Sequence, residues 1–340
     1  MSKVAVLGSG AWGTALAISF ARQGRHAVTL WSHRAEHAKA LQAEGENIRY
    51  LPGCPLPPAL AVTANATAAL HDADWIVCAI PSQFLRDTMG ALASNLQQNQ
   101  RVLSATKGLE TGSHLRITHV LADCLGRPRG CDTIGVLSGP SFAAEVALGQ
   151  PTAVTVAFPL LGQAIDAQQA LSSQTLRIYS SEDVIGVELG GALKNVIAIA
   201  AGIVTGLGLG SNSTAALIVR GSAEITRLAV AAGARRETLA GLSGTGDLIL
   251  TCTGTLSRNR SVGVALAQGQ SLPQVLAGMQ GKVAEGVRTA AAALDLASSL
   301  GIEMPITRQI QAILVGERSP QDAIRELMQR PARTEADSLD

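Results

Sequence analysis

Three glycines near the amino terminus constrain the fold of this chain more than any other feature. In the stretch KVAVLGSGAWGTALA, an apolar run is followed by Gly8, Gly10 and Gly13, and a helical pattern begins at about Trp12. This spacing between a strand and a helix is typical of a turn in which the first glycine makes the bend and the third lets the helix pack on the strand. The middle glycine leaves space for an anionic group at the helix N-terminus. The alternative is a βα turn that is merely rich in glycine.

The first half of the chain continues this alternation of strand and helix. Its strand-like segments are rich in β-branched and aliphatic residues, which is typical of strands covered on both faces. The predicted strands are Val4–Leu7, Ala27–Trp31, Leu60–Thr63, Trp75–Ile80, Val102–Ala105, Ile134–Leu137, Ala153–Ala157 and Leu176–Tyr179. Alternating strands and helices predict an α/β fold with a doubly wound parallel sheet of the Rossmann-like type.

After Ser181 the pattern changes, because strand-like runs nearly disappear and segments rich in Ala, Leu and Gly take over with helical spacing. A chain of 340 residues is also long for one domain. We therefore expect a Rossmann-like nucleotide-binding domain at 1–185, an all-helical substrate and catalytic domain at 186–330, and a flexible tail at 331–340, where the sequence is polar and lacks an apolar period.

Composition excludes several classes of protein. A net charge of +1 without a long basic run argues against a nucleic-acid partner. The five cysteines are scattered without short metal-ligand spacing, so we expect reduced thiols in the cytoplasm and no metal site. No apolar run reaches the length of a membrane span, and we expect no stable membrane insertion.

The residues after the second predicted strand bear on cofactor choice. A site selective for NAD usually places an acidic residue about 20 residues past the glycine turn, where it binds the ribose 2′-hydroxyl. Here the sequence is VTLWSHR, so Ser32, His33 and Arg34 occupy that place. A cation there favours the 2′-phosphate of NADPH without excluding NADH. The alternative is that Arg34 only caps a solvated loop.

Two other strand ends carry polar groups at the edge of the sheet where ligands bind in such folds. Lys107 follows the strand that ends at Ala105, and SGPSFAAE, with Gly139 and Ser141, follows another. Each also has an ordinary interpretation, since Lys107 could be a loop lysine and Ser141 a helix N-cap.

In the second half, LGGALKNVIAIAAGIV places Lys194 and Asn195 inside an apolar helix. Burying an unpaired ammonium group is costly, so the lysine either has a function or extends its charged end to solvent. Asn195 is a candidate polar partner for it.

Three further segments of the helical half carry polar groups. Asp247 opens a helix after a glycine-rich turn, and it is either a helix-terminal carboxylate or a site residue. The run Ser257–Asn259, with Arg258 at its centre, provides donors suited to a phosphate monoester, or it is a polar loop. Glu285 and Arg288 have the spacing of an exposed salt bridge on a helix.

Taken together, these motifs resemble the NAD(P)-dependent glycerol-3-phosphate dehydrogenases of the bacterial type. The similar segments are GSGAWGTALA, TKGLE, SGPSFAAE, GVELGGALKNVIAIAAG, SGTGDLILTCT, SRNR and AEGVRTA, in the family's order from residue 8 to about residue 310. The lysine helix combined with GDLILTCT and SRN is much more specific than the glycine turn. The helical half also resembles the C-terminal domain of 6-phosphogluconate dehydrogenase.

The resemblance implies an enzyme that reduces dihydroxyacetone phosphate to sn-glycerol 3-phosphate with NADPH or NADH, for glycerophospholipid synthesis. It implies Lys194 as the catalytic residue. Together with the residue-based candidates, it gives a substrate-binding set of Lys107, Gly139, Ser141, Lys194, Asn195, Asp247, Ser257, Arg258 and Asn259. The cofactor-binding set is Gly8, Gly10, Ala11, Trp12, Gly13, His33, Arg34, Lys107, Ala143, Arg258, Val283 and Glu285. We also expect a homodimer, since the Ala- and Gly-rich helical half offers apolar surface.

The chemistry predicts roles within this set. Hydride transfer to a ketone leaves negative charge on its oxygen, and Lys194 could stabilise that charge and donate a proton. Burial would lower the pKa of Lys194 and Asp247 would raise it again. Two rival functions stay open at this point: a related reductase of a keto or hydroxy acid, and a non-catalytic NADP-binding sensor.

Overall fold

The computed structural model describes residues 2–279, 283–332 and 334–335, and these residues form two compact units. The first unit comprises Met1–Thr106 and Ile117–Val184, and the second comprises Lys107–Arg116 and Ile185–Asp340. The segment 107–116 therefore belongs to the second unit, although the sequence placed it within the first predicted domain. Part of the predicted tail, at 333 and 336–340, lies outside the described residues.

The first unit contains one sheet of eight strands. The spatial order is β10-β9-β8-β7-β6-β1-β2-β5, with bounds β1 Ser2–Leu7, β2 His26–Trp31, β5 Ala61–Thr63, β6 Trp75–Cys78, β7 Arg101–Ser104, β8 Ile134–Ser138, β9 Thr152–Ala157 and β10 Leu176–Ser181. Every predicted strand is present within one or two residues of its expected bounds. The short hairpin β3 Glu46–Asn47 and β4 Leu51–Pro55 was not predicted, because it has no regular alternation of apolar residues.

The predicted parallel sheet is confirmed for most of its strands and differs at one pairing. Six strands, from β5 to β8 in the spatial order, run parallel, but β8 pairs with β9 in antiparallel register, with Leu137 opposite Val156. β9 and β10 are again parallel to each other. Side-chain pattern alone could not reveal this, since strands buried on both faces look alike in either direction. The carboxyl ends of β9 and β10 thus lie at the opposite edge from those of the other six strands.

Helices cover the sheet of the first unit. They are α1 Ala11–Arg22, α2 Ala35–Glu44, α3 Ala66–Leu70, α4 Ser82–Leu92, α5 Ile117–Cys124, α6 Ala143–Ala147 and α7 Leu161–Leu171. α1 is the central helix, and every residue from Gly13 to Ala21 is buried. Its apolar side chains pack with those of the central strands, such as Val6 and Leu30, in one continuous core.

The second unit is helical. Its helices are α8 Val184–Gly206, α9 Ser211–Ala231, α10 Arg236–Ala240, α11 Asp247–Thr253, α12 Arg258–Ala267, α13 Leu272–Gly278, α14 Glu285–Ser299, α15 Pro305–Leu314 and α16 Pro320–Met328. α8 is buried along nearly its whole length, because small residues let its neighbours approach closely. A Cβ atom added at Gly202 would lie 2.0 Å from the carbonyl oxygen of Arg260 in α12.

Contrary to the expectation from sequence that no apolar run reaches the length of a membrane span, α8 is long and apolar enough to cross a membrane, and no other helix in the described ranges is. In the structure, however, 89% of its most apolar window is buried by other parts of the protein. The apolar sequence of α8 is therefore explained by its position as a core helix.

Candidate active site

The glycine turn of the first unit has the geometry that its spacing predicts. Gly8 has a φ of +111°, and a Cβ there would lie 2.7 Å from the carbonyl oxygen of Ala79. A Cβ at Gly13 would lie 1.9 Å from the carbonyl oxygen of Gly8, so α1 can approach β1 only with glycine at that position. By contrast, no heavy atom lies within 4 Å of a Cβ placed on Gly10. The first and third glycines are required by packing, whereas the middle one opens a space in front of α1.

A side chain that the sequence did not single out holds this turn in place. Asn47, buried in the short hairpin, donates from Nδ2 to the carbonyl oxygen of Ser9 at 3.0 Å and to Oγ1 of Thr14 at 2.7 Å. His37 Nε2 also lies 3.3 Å from the Ser9 carbonyl oxygen. Nothing in the local pattern around Asn47 indicated this contact, because 33 residues separate it from Thr14.

The end of β2 has no carboxylate in the place that an NAD-selective site would use. Ser32 is buried and accepts a hydrogen bond from Ser9 Oγ at 2.9 Å, whereas His33 and Arg34 are exposed. The Arg34 backbone precedes α2 as its N-cap residue, and its side chain forms no capping hydrogen bond. The guanidinium is thus presented to solvent at the carboxyl edge of the sheet.

The turn after β8 is built around Gly139. This residue has a φ of +144°, and a Cβ there would lie 2.9 Å from Cα of Val154. Ser141 is not the N-cap of α6, as its sequence context allowed, because Phe142 holds that position. The Ser141 hydroxyl instead donates to the carbonyl oxygen of Gly139 at 2.9 Å. Ala143 is the first residue of α6.

The first unit fits a dinucleotide on structural grounds. The open space at Gly10 lies before the N-terminus of α1, whose first turn carries no acidic residue and no side-chain cap. Helix N-termini of this kind bind phosphate through their free N–H groups. In addition, Nε1 of Trp12 is buried without a hydrogen-bond partner among the described residues. A polar ligand in front of Ala11 would satisfy the free N–H groups of this helix N-terminus.

In the second unit, Lys194 is buried within α8 and ion-paired. Its side chain is 6% exposed, and its Nζ donates to Oδ1 of Asp247 and, at 2.8 Å, to Oγ1 of Thr251. The alternative in which the lysine extends to solvent is therefore wrong. Asn195 is not its polar partner either, since the Asn195 side chain bonds elsewhere.

Asp247 joins two lysines. Its side chain is fully buried, and its second oxygen, Oδ2, accepts from Nζ of Lys107 at 2.7 Å. Asp247 begins α11 directly after a π-helical turn at Leu242–Gly246, and its backbone N–H donates to the carbonyl oxygens of Gly244 and Leu242. One carboxylate thus holds two lysines, and the cluster has a net positive charge when both are protonated.

The cluster alters the protonation of Lys194. Burial lowers the pKa of Lys194 to about 7, while the attraction of Asp247 opposes the shift and the repulsion of Lys107 adds to it. Removing an ammonium group from water disfavours its charged form, and only a nearby anion offsets that cost. Near neutral pH, Lys194 can therefore both donate and accept a proton, as its sequence context predicted.

Asn195 and Asn259 form a buried link between three helices. Asn259 donates from Nδ2 to Oδ1 of Asn195 at 2.9 Å and accepts at its own Oδ1 from the backbone N–H of Gly286 at 3.0 Å. The link fixes the starts of α12 and α14 to the turn of α8 that carries Lys194. One N–H of the Asn259 amide is not used in this link.

The start of α12 presents a cation and a helix N-terminus together. Ser257 is its N-cap residue, and its Oγ accepts from the backbone N–H of Arg260 at 3.2 Å. Arg258, the first residue of the helix, is exposed beside a cleft lined by Ser261, Val262, Val275 and Met279. The Ser257–Asn259 run is therefore a capped helix start rather than a polar loop.

Glu285 begins α14 and is partly buried, and Val283 lies just before it. Burial raises the pKa of the Glu285 carboxyl to about 7, against the opposing effects of Arg258, Lys107 and Lys194. The salt bridge with Arg288 that the spacing suggested does not form among the described residues, and Arg288 is exposed. Glu285 thus belongs to the electrostatic environment of the lysine cluster.

Thr251 is a member of this cluster that sequence reasoning missed. Its hydroxyl lies between Lys194 Nζ and the backbone carbonyl oxygen of Asp247, to which it donates at 2.6 Å. A signal existed, because Asp247 and Thr251 are four residues apart and thus share a face of α11. Over the ranges that the structure describes, no group of three His, Cys, Asp or Glu side chains could hold a metal ion.

A dinucleotide-type turn in one unit and a buried, ion-paired lysine in the other are the parts of a nicotinamide-dependent oxidoreductase. Comparisons with known proteins specify the family. Residues 3–162 match the model of the NAD-dependent glycerol-3-phosphate dehydrogenase N-terminus, and residues 183–325 match that of the C-terminus. The chain therefore belongs to the NAD-dependent glycerol-3-phosphate dehydrogenase family.

Individual relatives agree with this assignment. A glycerol-3-phosphate dehydrogenase [NAD(P)+] of Acidobacterium capsulatum is 59% identical, covering 98% of this chain and 100% of the relative. That of Koribacter versatilis is 50% identical over 98% of this chain and 99% of its own length. The crystal structure of glycerol-3-phosphate dehydrogenase from Coxiella burnetii is 41% identical and superimposes with a TM-score of 0.91, covering 97% of this chain and 99% of that one.

Proposed function

We propose that the chain reduces dihydroxyacetone phosphate to sn-glycerol 3-phosphate with NADPH or NADH. The observation that carries this proposal is the buried Lys194, whose Nζ bonds Asp247 while Lys107 bonds the other oxygen of the same carboxylate. A proton donor with a pKa near 7 is suited to a ketone oxygen that gains negative charge. The product is the backbone of glycerophospholipids, so the enzyme supplies their synthesis.

Lys194 is the catalytic residue. In its ammonium form, Nζ donates a hydrogen bond to the ketone oxygen and then transfers a proton as charge develops there. In the reverse direction, neutral Lys194 accepts the hydroxyl proton. Asp247 and Thr251 orient Nζ, and Lys107 provides a second positive charge to the substrate side of the cluster. When bound, the nicotinamide cofactor supplies the hydride.

The phosphate of the substrate binds at the start of α12. Arg258 offers a fork of donors, and the capped helix N-terminus adds its partial positive charge. The Ser257 hydroxyl and the unused N–H of Asn259 complete the set. Gly139 and Ser141 are assigned to substrate binding from the family motif and from their place after a strand end, and Asn195 from its place beside Lys194 in the sequence.

We propose cofactor-binding residues in each unit. In the first unit these are Gly8, Gly10, Ala11, Trp12, Gly13, His33, Arg34 and Ala143, and in the second they are Lys107, Arg258, Val283 and Glu285. The exposed cation at Arg34, with no carboxylate at the end of β2, supports a preference for NADPH over NADH.

We place the enzyme in the cytoplasm as a homodimer that inserts into no membrane. The five cysteines are free thiols, which suits a reducing compartment. Exposed apolar side chains on α9, such as Val219 at 57% exposure, offer surface for a second copy of the chain. Sedimentation equilibrium would measure the association state, and a monomer at micromolar concentration would contradict the dimer.

The decisive experiment measures NADPH oxidation with dihydroxyacetone phosphate and, in parallel, with a panel of keto acids. We expect turnover with the phosphorylated ketone and little turnover with keto acids. The same preference for the phosphorylated ketone should hold when NADH replaces NADPH. Turnover confined to a keto acid would support a different reductase. Stoichiometric NADPH binding without oxidation of any kind would support a non-catalytic sensor.

A further inference from the structure

The segment 107–116, here called the Lys107 loop, is a part of the second unit whose role the proposed mechanism does not explain. The loop leaves the sheet after β7 and returns to it at α5, yet it packs with the helices of the second unit. Leu109 is 1% exposed within the apolar core of that unit. The loop is therefore held in place at more points than Lys107 alone.

The two ends of the loop lie side by side. Leu109 and Arg116 form an isolated antiparallel bridge, and Glu110 N–H donates to the Leu115 carbonyl oxygen at 3.0 Å. His114 N–H donates to the Glu110 carbonyl oxygen at 3.1 Å, which closes the tip. Because of this closure, a displacement of Arg116 would be transmitted to the end of the loop that carries Lys107.

Arg116 is itself fixed by a second buried charge pair. Its NH1 donates to Oε2 of Glu188 at 2.8 Å, and the Glu188 side chain is 2% exposed. Glu188 belongs to α8 and lies six residues before Lys194, which is about 9 Å along the helix axis. The same helix thus holds the loop at Arg116 and carries the lysine whose counter-ion, Asp247, holds the loop at Lys107.

We propose that Arg116 and Glu188 are positioning residues that keep Nζ of Lys107 on Oδ2 of Asp247, and so determine how one carboxylate is shared between Lys107 and Lys194. Neither residue touches the reacting atoms. A buried ion pair suits this purpose, because separating its partners would leave an uncompensated buried charge. The paired arrangement of Arg116 and Glu188 is therefore strongly favoured. The inference rests on the proposed function, since it assigns a purpose to the geometry of that catalytic cluster.

The charged groups around Lys194 determine how its pKa would change if Lys107 moved. α11 contributes Asp247 and the Cys252 thiol, which is neutral because burial raises its pKa to about 12. The loop contributes Lys107, and α14 contributes Glu285. If Lys107 moves away, Lys194 loses a repulsive neighbour and keeps Asp247 to itself, so the pKa of Lys194 rises. Reduction requires the ammonium form, so the alkaline limb of the pH profile would move to higher pH.

The test uses the double substitution Arg116→Gln with Glu188→Gln, which removes one charge of each sign and so keeps the net charge constant. We expect kcat/KM for dihydroxyacetone phosphate to fall about tenfold and the alkaline limb to rise by about one pH unit. Hydrogen exchange at the Glu110 amide should become faster in the enzyme without substrate. The reciprocal exchange, Arg116→Glu with Glu188→Arg, should restore both kcat/KM and the position of the limb.

The matched control is His114→Asn, which changes a more exposed residue of the same loop. His114 has a φ of +58°, a conformation that Asn tolerates well, and its partner Asp295 is largely exposed. We expect wild-type kcat/KM and pH profile for this variant. If the double Gln variant does not fold, Arg116→Lys keeps the charge of the pair but loses the geometry of the guanidinium, and kcat/KM, the pH limb and the amide exchange should change in the same directions by smaller amounts.

Unchanged kcat/KM, pH limb and amide exchange in the double variant would overturn the inference. Faster exchange with an unmoved pH limb would do so as well, because the pair would then stabilise the loop without acting on Lys194. Failure of the proposed function looks different, since the wild-type enzyme would not reduce dihydroxyacetone phosphate at all. The exchange measurement would still report whether the pair holds the loop.

Discussion

The substitution Asp247→Asn tests the lysine cluster most directly. Asn has nearly the same shape but removes the charge that Lys107 and Lys194 share, and the site is fully buried. Lys194 then keeps its burial and its repulsion by Lys107 but loses the attraction that opposed them. The pKa of Lys194, about 7 in the native enzyme, should therefore fall.

The magnitude follows from the contact geometry. An opposite charge in direct contact changes a pKa by about 1–3 pH units, and we take about two for a carboxylate that is also shared with Lys107. The pKa would then be about 5, so at pH 7 about 1% of Lys194 would be protonated, compared with about half in the native enzyme. Turnover in the direction of reduction should thus fall about 50-fold at pH 7 and recover in large part near pH 5.

The assay is steady-state oxidation of NADPH at saturating dihydroxyacetone phosphate from about pH 5 to about pH 9. Thermal unfolding is measured on the same samples, because breaking a buried ion pair costs about 3–5 kcal/mol of stability. Asp295→Asn, which alters an exposed carboxylate of the same unit, is the control and should leave the profile unchanged. A loss of turnover that is equal at every pH would refute the reasoning. It would mean that Asp247 positions groups without controlling the proton on Lys194.

Four other substitutions test the remaining assignments. Lys194→Ala should lower turnover by about 10²-fold or more with NADPH binding largely retained, and near-normal turnover would exclude it as the proton donor. Arg258→Ala should raise the KM for dihydroxyacetone phosphate most, whereas a loss confined to cofactor affinity would exclude the phosphate site. Arg34→Ala should weaken NADPH more than NADH in fluorescence titrations, and equal losses would argue against a 2′-phosphate contact. Gly13→Ala places a Cβ 1.9 Å from the Gly8 carbonyl oxygen, so both NADPH affinity and the unfolding temperature should fall, and retention of both would contradict the packing argument.

Local sequence pattern was sufficient for most of the architecture of the first unit. The strands alternate with helices, and the spacing of the glycine turn indicated its position between β1 and α1. The reason for Gly13 is local, because a Cβ there would meet the Gly8 carbonyl oxygen, whereas the close approach at Gly8 is to Ala79, far away in the sequence. The direction of β9 was not predictable in this way. Whether a buried strand runs parallel or antiparallel depends on the path of the connection before it, and the apolar residues of β9 would be buried in either direction.

The charged cluster around Lys194 was likewise predictable from local sequence only in part. The apolar neighbours of Lys194 along α8 indicated burial without excluding a charged end that reaches solvent, and the direction of its pKa change follows from burial itself. The sequence also contained a second charge in that helix, Glu188, which was not interpreted. A buried carboxylate requires a partner, but nothing local identified that partner as Arg116, 72 residues away.

By itself, the sequence determined which segments are strands and helices and where the glycine turn lies, because these properties depend on neighbours within a few residues. Only the tertiary structure decided that the Lys107 loop joins the helical unit, that Asp247 bonds two lysines at once, and that Asn195 bonds Asn259 instead of Lys194. These contacts join residues 53 to 140 positions apart. A charge in a low-dielectric interior is controlled by whatever lies within a few ångströms of it, and only the folded chain determines which residues those are.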